Sequence, residues 1–346
     1  VLVKVLQAAG KSALMVDGSA GSQLLVLPYG GRVLGLFAVG SEENFYWTNP
    51  TLRSADAARA FYASPDWHNS GGDRTWLGPE VDVFLPHFPS REGYFQPRGL
   101  DPGNYRVVGA GAGLRLVNRL TLTLSRSRRQ VELEITKWFA PAPNPLRQEH
   151  GMPADVEYAG YAQHTSLAIV GGDSSSPVGL WNLVQMPHGG DLLLPTFSRS
   201  EPKLVFGHIP GADLLVDDRL VRYRMRQTGE HKLALRAATA IGRVGYLFAQ
   251  GERWALVVRN FVVNPSGEYV DVPWDDPRDQ GYSTQACNVN SGLGRFSELE
   301  YHIPAIGGRT GRTQCEDTAQ VWAFRGPQPS ILEITRRLVA GDRFVL

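Results

Sequence analysis

Residues 114–139, LRLVNRLTLTLSRSRRQVELEITKWF, decide the fold. Leu114, Leu116, Leu120, Leu122 and Leu124 alternate with polar or small residues in the first half. In the second half Val131, Leu133, Ile135 and Phe139 alternate with Glu132, Glu134, Thr136 and Trp138. A period of two sends successive side chains to opposite faces of an extended chain, so each half reads as a strand with one covered face. The same period returns at Val221, Tyr223 and Met225 against Arg222, Arg224 and Arg226, and again at Leu233, Leu235 and Ala237. The three arginines share a face that reads as solvated. Turn signals separate the runs: Pro28-Tyr29-Gly30-Gly31, residues 109–113, Gly171-Gly172-Asp173, Pro210-Gly211 and Pro265-Ser266-Gly267. Two segments read as helices. One is residues 55–62, with Ser54 or Asp56 as cap; the other follows the spacing of Ile331, Ile334 and Leu338. Few short helices among many strands predict an all-β chain, with residues 1–346 forming one domain of two large packed antiparallel sheets. Residues 141–153, with four prolines, read as the least ordered stretch.

Composition narrows the function. Of 346 residues, 42% are apolar and 20% charged, which excludes a disordered chain. Lys plus Arg total 35 and Asp plus Glu 34, so the chain lacks the basic excess of a general nucleic-acid binder. No run of apolar residues is long enough for a membrane-spanning helix. Two cysteines, Cys287 and Cys315, supply neither a zinc set nor a disulfide framework; they either pair in an oxidising compartment or stay free. The low cysteine count fits the cytoplasm. The start at Val1 and the many Trp and Pro residues lean toward export to a periplasmic or extracellular location. No P-loop, G-x-S-x-G elbow or H-E-x-x-H motif is present. Asp271, Asp275, Asp276 and Asp279 lack the order of a calcium loop and read as an exposed acidic loop.

Three segments carry chemistry. The first is Trp67-His68-Asn69-Ser70-Gly71-Gly72-Asp73-Arg74-Thr75-Trp76-Leu77-Gly78-Pro79-Glu80. Its indoles suit the apolar face of a pyranose, while Asn69, Arg74 and Glu80 suit hydroxyls or a carboxylate. The plainer reading is a turn with an Asp73–Arg74 ion pair. The second is Glu298-Leu299-Glu300-Tyr301-His302, which as a strand puts Glu298, Glu300 and His302 on one face. Crowded carboxylates raise one another's pKa, which suits acid–base work near neutral pH; the plainer reading is an exposed strand face. The third runs from Trp181 to Gly190. Trp181, Leu183 and Gln185 share a face, and His188 sits just past the strand end that Pro187 marks.

The run Gly71-Gly72-Asp73-Arg74-Thr75-Trp76-Leu77-Gly78-Pro79-Glu80 resembles the signature of a bacterial family grouped with aldose 1-epimerases as galactose-mutarotase-like proteins. Glu298-Leu299-Glu300 followed by Pro304-Ala305, the early Gly30-Gly31-Arg32 and the middle Leu180-Trp181 fall in the same order, so the resemblance spans about residues 23–325. It implies a β-supersandwich whose concave sheet binds sugars. It also implies a C-terminal glutamate that takes the anomeric proton and a histidine that donates to the ring oxygen. Glu300 matches the base best, with Glu298 two residues earlier as the alternative. Neither catalytic histidine of that family maps onto this chain by position, which leaves His68 and His188 as acids by chemistry alone. The expected function is therefore an aldose 1-epimerase-like enzyme on a monosaccharide or chain end, with Arg74, Trp76, Glu80, Asn69, Trp181, Glu298 and His302 around the sugar. No metal or organic cofactor is required, because only protons move. A polysaccharide lyase or a hydrolase pairing Glu80 with Glu300 is the alternative enzyme, and a non-catalytic sugar-binding module the third reading.

Overall fold

The alternation at residues 114–139 becomes a hairpin. Arg115–Thr123 pairs antiparallel with Gln130–Pro141, setting Leu120 opposite Leu133 and Leu122 opposite Val131. The inward row continues through Asn118 and Lys137, both fully buried. Their polar atoms are met by backbone: Asn118 Nδ2 donates to the Gly99 carbonyl at 2.9 Å, and Lys137 Nζ to the Gly31 carbonyl at 2.8 Å. The computed structural model describes residues 1–109, 114–146, 151–342 and 344–346. Residues 110–113 of the expected glycine turn and 147–150 of the proline-rich stretch lie outside it.

Two antiparallel sheets organise the described residues. The nine-stranded sheet runs, in spatial order, Leu14–Asp17, Gln23–Leu27, Arg32–Phe37, Asp73–Gly78, Gly179–Pro187, Gly294–His302, Tyr282–Ser291, Gly229–Arg236 and Lys203–Phe206. The ten-stranded sheet runs Leu214–Val216, Leu220–Arg224, Asp191–Pro195, Arg243–Gln250, Arg253–Asn260, Gln314–Gly326, Glu157–Gly172, Gln130–Pro141, Arg115–Thr123 and Arg106–Val108. Their inner faces share one apolar core, in which Leu24, Val33 and Val184 of the first meet Leu133, Tyr161 and Val257 of the second. Each such side chain contributes about 1.5–3 kcal/mol by leaving water. The chain is thus all-β with few short helices, as the period-two runs predict.

The helices seal outer faces. Ala55–Ala63 forms where expected, with Ser54 Oγ accepting from the Ala57 amide. Gln328–Thr335 forms near the C-terminus and covers Leu193, Leu256 and Val258. Leu2–Ala8 was not expected as a helix. It lacks a side-chain cap and owes its form to packing of Val5 and Leu6 against Leu25, Leu27 and Leu34. The arginine face is corrected at Arg222, while Arg226 is exposed as expected. Arg222 is 7% exposed, and its Nη2 donates to Asp191 at 2.6 Å, because the C-terminal segment folds over that strand. Cys287 and Cys315 are both free thiols. Among the described residues, no helix is long and apolar enough to cross a membrane.

Candidate active site

Five adjacent strands of the nine-stranded sheet carry the candidate residues, and their register places each one. Trp76 stands opposite Trp181, and Trp181 opposite His302. In the next row Arg74 faces Leu183, Leu183 faces Glu300, and Glu300 faces Gln285. In the third, Gln185 faces Glu298, Glu298 faces Cys287, and Cys287 faces Lys232. Because side chains alternate, these residues leave by the outer face of the sheet, while Asp73, Asn182 and Tyr301 turn inward.

The charged groups bond along diagonals. Arg74 Nη2 donates to Glu298 Oε1 at 2.8 Å, and Gln185 Nε2 to the same oxygen at 3.0 Å. The Arg74 guanidinium lies 4.2 Å from the centre of the Trp76 ring and 5.6 Å from that of Trp67. Trp181 Nε1 donates to Glu300 Oε2 at 2.9 Å, and Lys232 Nζ lies 3.2 Å from that oxygen and 3.4 Å from Glu80 Oε2. Lys232 also sits 4.4 Å over the Trp181 ring. Glu80 opens a short helix, Glu80–Val83, whose first amide donates to Asp271 Oδ1 at 2.7 Å. The Glu80 carboxylate accepts from Tyr94 Oη at 2.8 Å and Trp274 Nε1 at 3.1 Å. His302 stacks on Trp181 at 5.5 Å, with Nε2 3.7 Å from Asp271 Oδ2. At the other end of this face, Oδ2 of Asp101 accepts from Arg32 Nη2 (2.7 Å), Trp76 Nε1 (2.9 Å) and Trp67 Nε1 (3.0 Å).

The face is roofed. Glu300 is 1% exposed and Glu298 8%, while Tyr94, in the covering loops, is 36% exposed. Tyr94 stacks on Phe84 and Trp274 above Glu80. An open cleft of about 610 Å³ lies elsewhere, between Leu220, Arg222 and Phe344.

Burial sets the protonation states. It pushes the Glu300 carboxyl up to about 8; Lys232 opposes the rise, and Glu298 and Glu80 add to it. For Lys232 burial disfavours the charge, but Glu300, Glu80 and Asp271 outweigh it and hold the ammonium above its ordinary range. Burial, with Lys232 nearby, holds His302 well below the usual imidazole range, so its ring is neutral. Glu300 Oε2 already accepts two donors, which leaves Oε1 to carry the carboxyl proton. Cys287 Sγ and an oxygen each from Glu298 and Glu300 lie within 4.8 Å of one another. Each acid already has a cationic neighbour, Arg74 for Glu298 and Lys232 for Glu300.

Arg74, Trp76, Glu80, Trp181, Glu298, Glu300 and His302 thus form one contact network. Three other candidates stand outside it. His68 packs among Tyr29, Phe61 and Tyr62, one ring nitrogen on Tyr29 Oη and the other on the Ser64 carbonyl at 3.1 Å. His188 bonds Asn288 Oδ1 at 3.0 Å, and Asn288 turns to the face opposite Cys287. The Asn69 side chain, 5% exposed, makes no hydrogen bond to the protein. The Asp73–Arg74 pair does not form either: a strand separates the two residues onto opposite faces, Asp73 meeting Arg259 and Arg74 meeting Glu298. Asp271, expected in an exposed acidic loop, is 2% exposed and accepts from Gln285 Nε2 at 2.8 Å. Sequence reasoning missed Lys232, Asp101, Asp271, Tyr94 and Trp274. The alternation at Leu233 and Leu235 would have put Lys232 on the outer face, yet only strand pairing brings it to Glu300.

The chain matches no protein-family model and no curated protein. Among solved structures 16 chains match it. One is galactose 1-epimerase from Lactobacillus acidophilus NCFM, with a TM-score of 0.43 and 10% identity, covering 92% of this chain and 95% of that one.

Proposed function

We propose that the outer face of the nine-stranded sheet binds a carbohydrate and moves protons at its anomeric centre, the reaction class of aldose 1-epimerases. One observation carries this reading: a carboxyl raised to about 8 and a neutral imidazole, Glu300 and His302, project from one face of one strand beside two indoles. Two residues of strand separate their Cα atoms by about 7 Å and send both side chains to one face. His302 takes the anomeric O–H proton, and those electrons form the C1 carbonyl. The bond from C1 to the ring oxygen breaks, and its electrons take the Glu300 proton. Rotation about the bond from C1 to C2 and reclosure with the protons reversed give the other anomer. Glu300 thus starts as the acid, which exchanges the roles expected from the resemblance. Trp76 and Arg74 hold the ring, and the sugar enters by displacing Tyr94 and Trp274.

NMR exchange spectroscopy across aldoses and uronic acids tests this. Glu300→Gln should lower an accelerated exchange by about 10²–10⁴-fold. A folded protein that accelerates no sugar overturns the reading. A second reading, hydrolysis, is favoured by the shared Lys232, which brings the Glu80 and Glu300 carboxylates close to the spacing of paired glycosidase acids. It is identified by release of reducing ends, lost in both Glu80→Gln and Glu300→Gln.

A further inference from the structure

Arg259, between the sheets, leaves Nε and Nη1 without a hydrogen-bond partner, so an incompletely bonded guanidinium is not by itself a site. Arg74 differs in its neighbours. Its Nε and Nη1 are also unpartnered at 2% exposure, and so are Arg32 Nε and both polar atoms of the Asn69 side chain. Arg32 is linked to Arg74 through one indole: Trp76 shares Asp101 with Arg32 and stacks under Arg74. Farther along the face, Glu300 Oε1, Gln285 Oε1 and His302 Nε2 are buried without partners as well.

The two ends have different polarity. Around Arg74 the unspent groups are its own Nε and Nη1, both N–H donors, with the amide oxygen of Gln185, which shares Glu298 with it, as an acceptor. Around Glu300 they are mixed, a carboxyl O–H beside an amide oxygen and an imidazole nitrogen. A hemiacetal, which donates and accepts, fits the mixed end. An acceptor-only group fits the donor end, and a carboxylate and a sulfate ester are sugar substituents of that kind. Glu298 and Asp101 oppose an anion there, but each is spent on one guanidinium nitrogen, and the remaining nitrogens are free to bind.

We infer that the ligand of this face is an anionic sugar, with its carboxylate or sulfate ester on Arg74 and its anomeric end on Glu300. The inference rests on the proposed sugar-binding reading. The test is calorimetry and NMR exchange on the whole protein with galacturonate, glucuronate, their methyl esters, galactose, glucose and galactose 6-sulfate. The acid or the sulfate ester should bind at least 10-fold more tightly than its parent aldose, and esterification should erase the carboxylate's advantage. Which of the two binds identifies the anion. Arg74→Gln should lower affinity for the acid or the sulfate ester at least 10-fold more than for the parent aldose; the wild-type panel decides even if that variant fails to fold. Equal or tighter binding of the neutral aldoses overturns the inference and leaves the sugar reading standing. No binding of any sugar overturns both.

Discussion

Neighbouring residues of the same strands build two different polar regions. Asp73, Asn182 and Tyr301 turn into the sandwich; Arg74, Trp181 and Glu300 turn out. Inside, Asp73 takes Arg259 Nη2 at 2.9 and 2.8 Å and Tyr161 Oη at 2.8 Å, and Tyr161 meets Tyr46 at 2.8 Å. Tyr301 Oη donates to Asp317 Oδ2 at 2.6 Å and accepts from Asn182 Nδ2 at 3.0 Å. These bonds tie one sheet to the other. Outside, the same residue types bond only within their own sheet and its covering loops, and most keep a polar atom unspent. Polar groups that fasten the scaffold are saturated at the carboxylate; those of the outer face are held in place but incompletely used.

The largest effect should come from the fastening. Asp73→Asn leaves Arg259 without its counter-charge at 1% side-chain exposure, and should cost about 3–5 kcal/mol in urea unfolding. Glu298→Gln removes the outer counterpart, whose side chain is 11% exposed, and should cost about 1–2 kcal/mol. Equal losses at the two positions would erase the distinction between the regions.

The strands were legible because period-two alternation is local, and the covered face of residues 114–139 proved to be the one its leucines mark. Glu298, Glu300 and His302 share a face for the same reason. What was not legible depends on pairing between distant strands. Nothing in Glu230-His231-Lys232 announces that Lys232 reaches both Glu300 and Glu80, and nothing near Trp67 or Trp76 announces Asp101. His68 and His188 attracted attention because glycine-rich segments flank them, yet those segments turn their imidazoles toward Tyr29 and Asn288. Lys137 hid in plain view, as a cation in an inward position of a strand already recognised.

Lys137 is a cation on the fastening side that carries no carboxylate of its own. Burial lowers its amine to about 7 from an ordinary 10.5. Between those values the unfolded chain binds more protons than the folded one, so this residue makes stability rise with pH across that window. Lys137→Met should therefore stabilise the protein by roughly 2–3 kcal/mol below pH 7, with the gain fading toward pH 10.5. Urea midpoints at pH 6 and pH 10 measure it. A gain that does not depend on pH would mean that the ammonium is not desolvated and that the core is more polar than its packing implies.

Glu300 gives the sharpest contrast, since on the outer face the burdened group keeps a cation beside it. Its carboxyl rises from 4.5 to about 8, so the stability it contributes is fully present below pH 4.5 and is lost as pH passes through 8. Relative to Glu300→Gln, the wild type should weaken by roughly 2–3 kcal/mol over that window, as much as for Lys137, because the two groups shift by the same interval. Lys232→Gln removes that cation and should move the Glu300 midpoint upward in a carbon-13 titration of the glutamate carboxyls. A midpoint that does not rise in Lys232→Gln would show that the ammonium gives the ionised carboxylate no support, and the outer face would then hold Glu300 protonated without opposition from its cation.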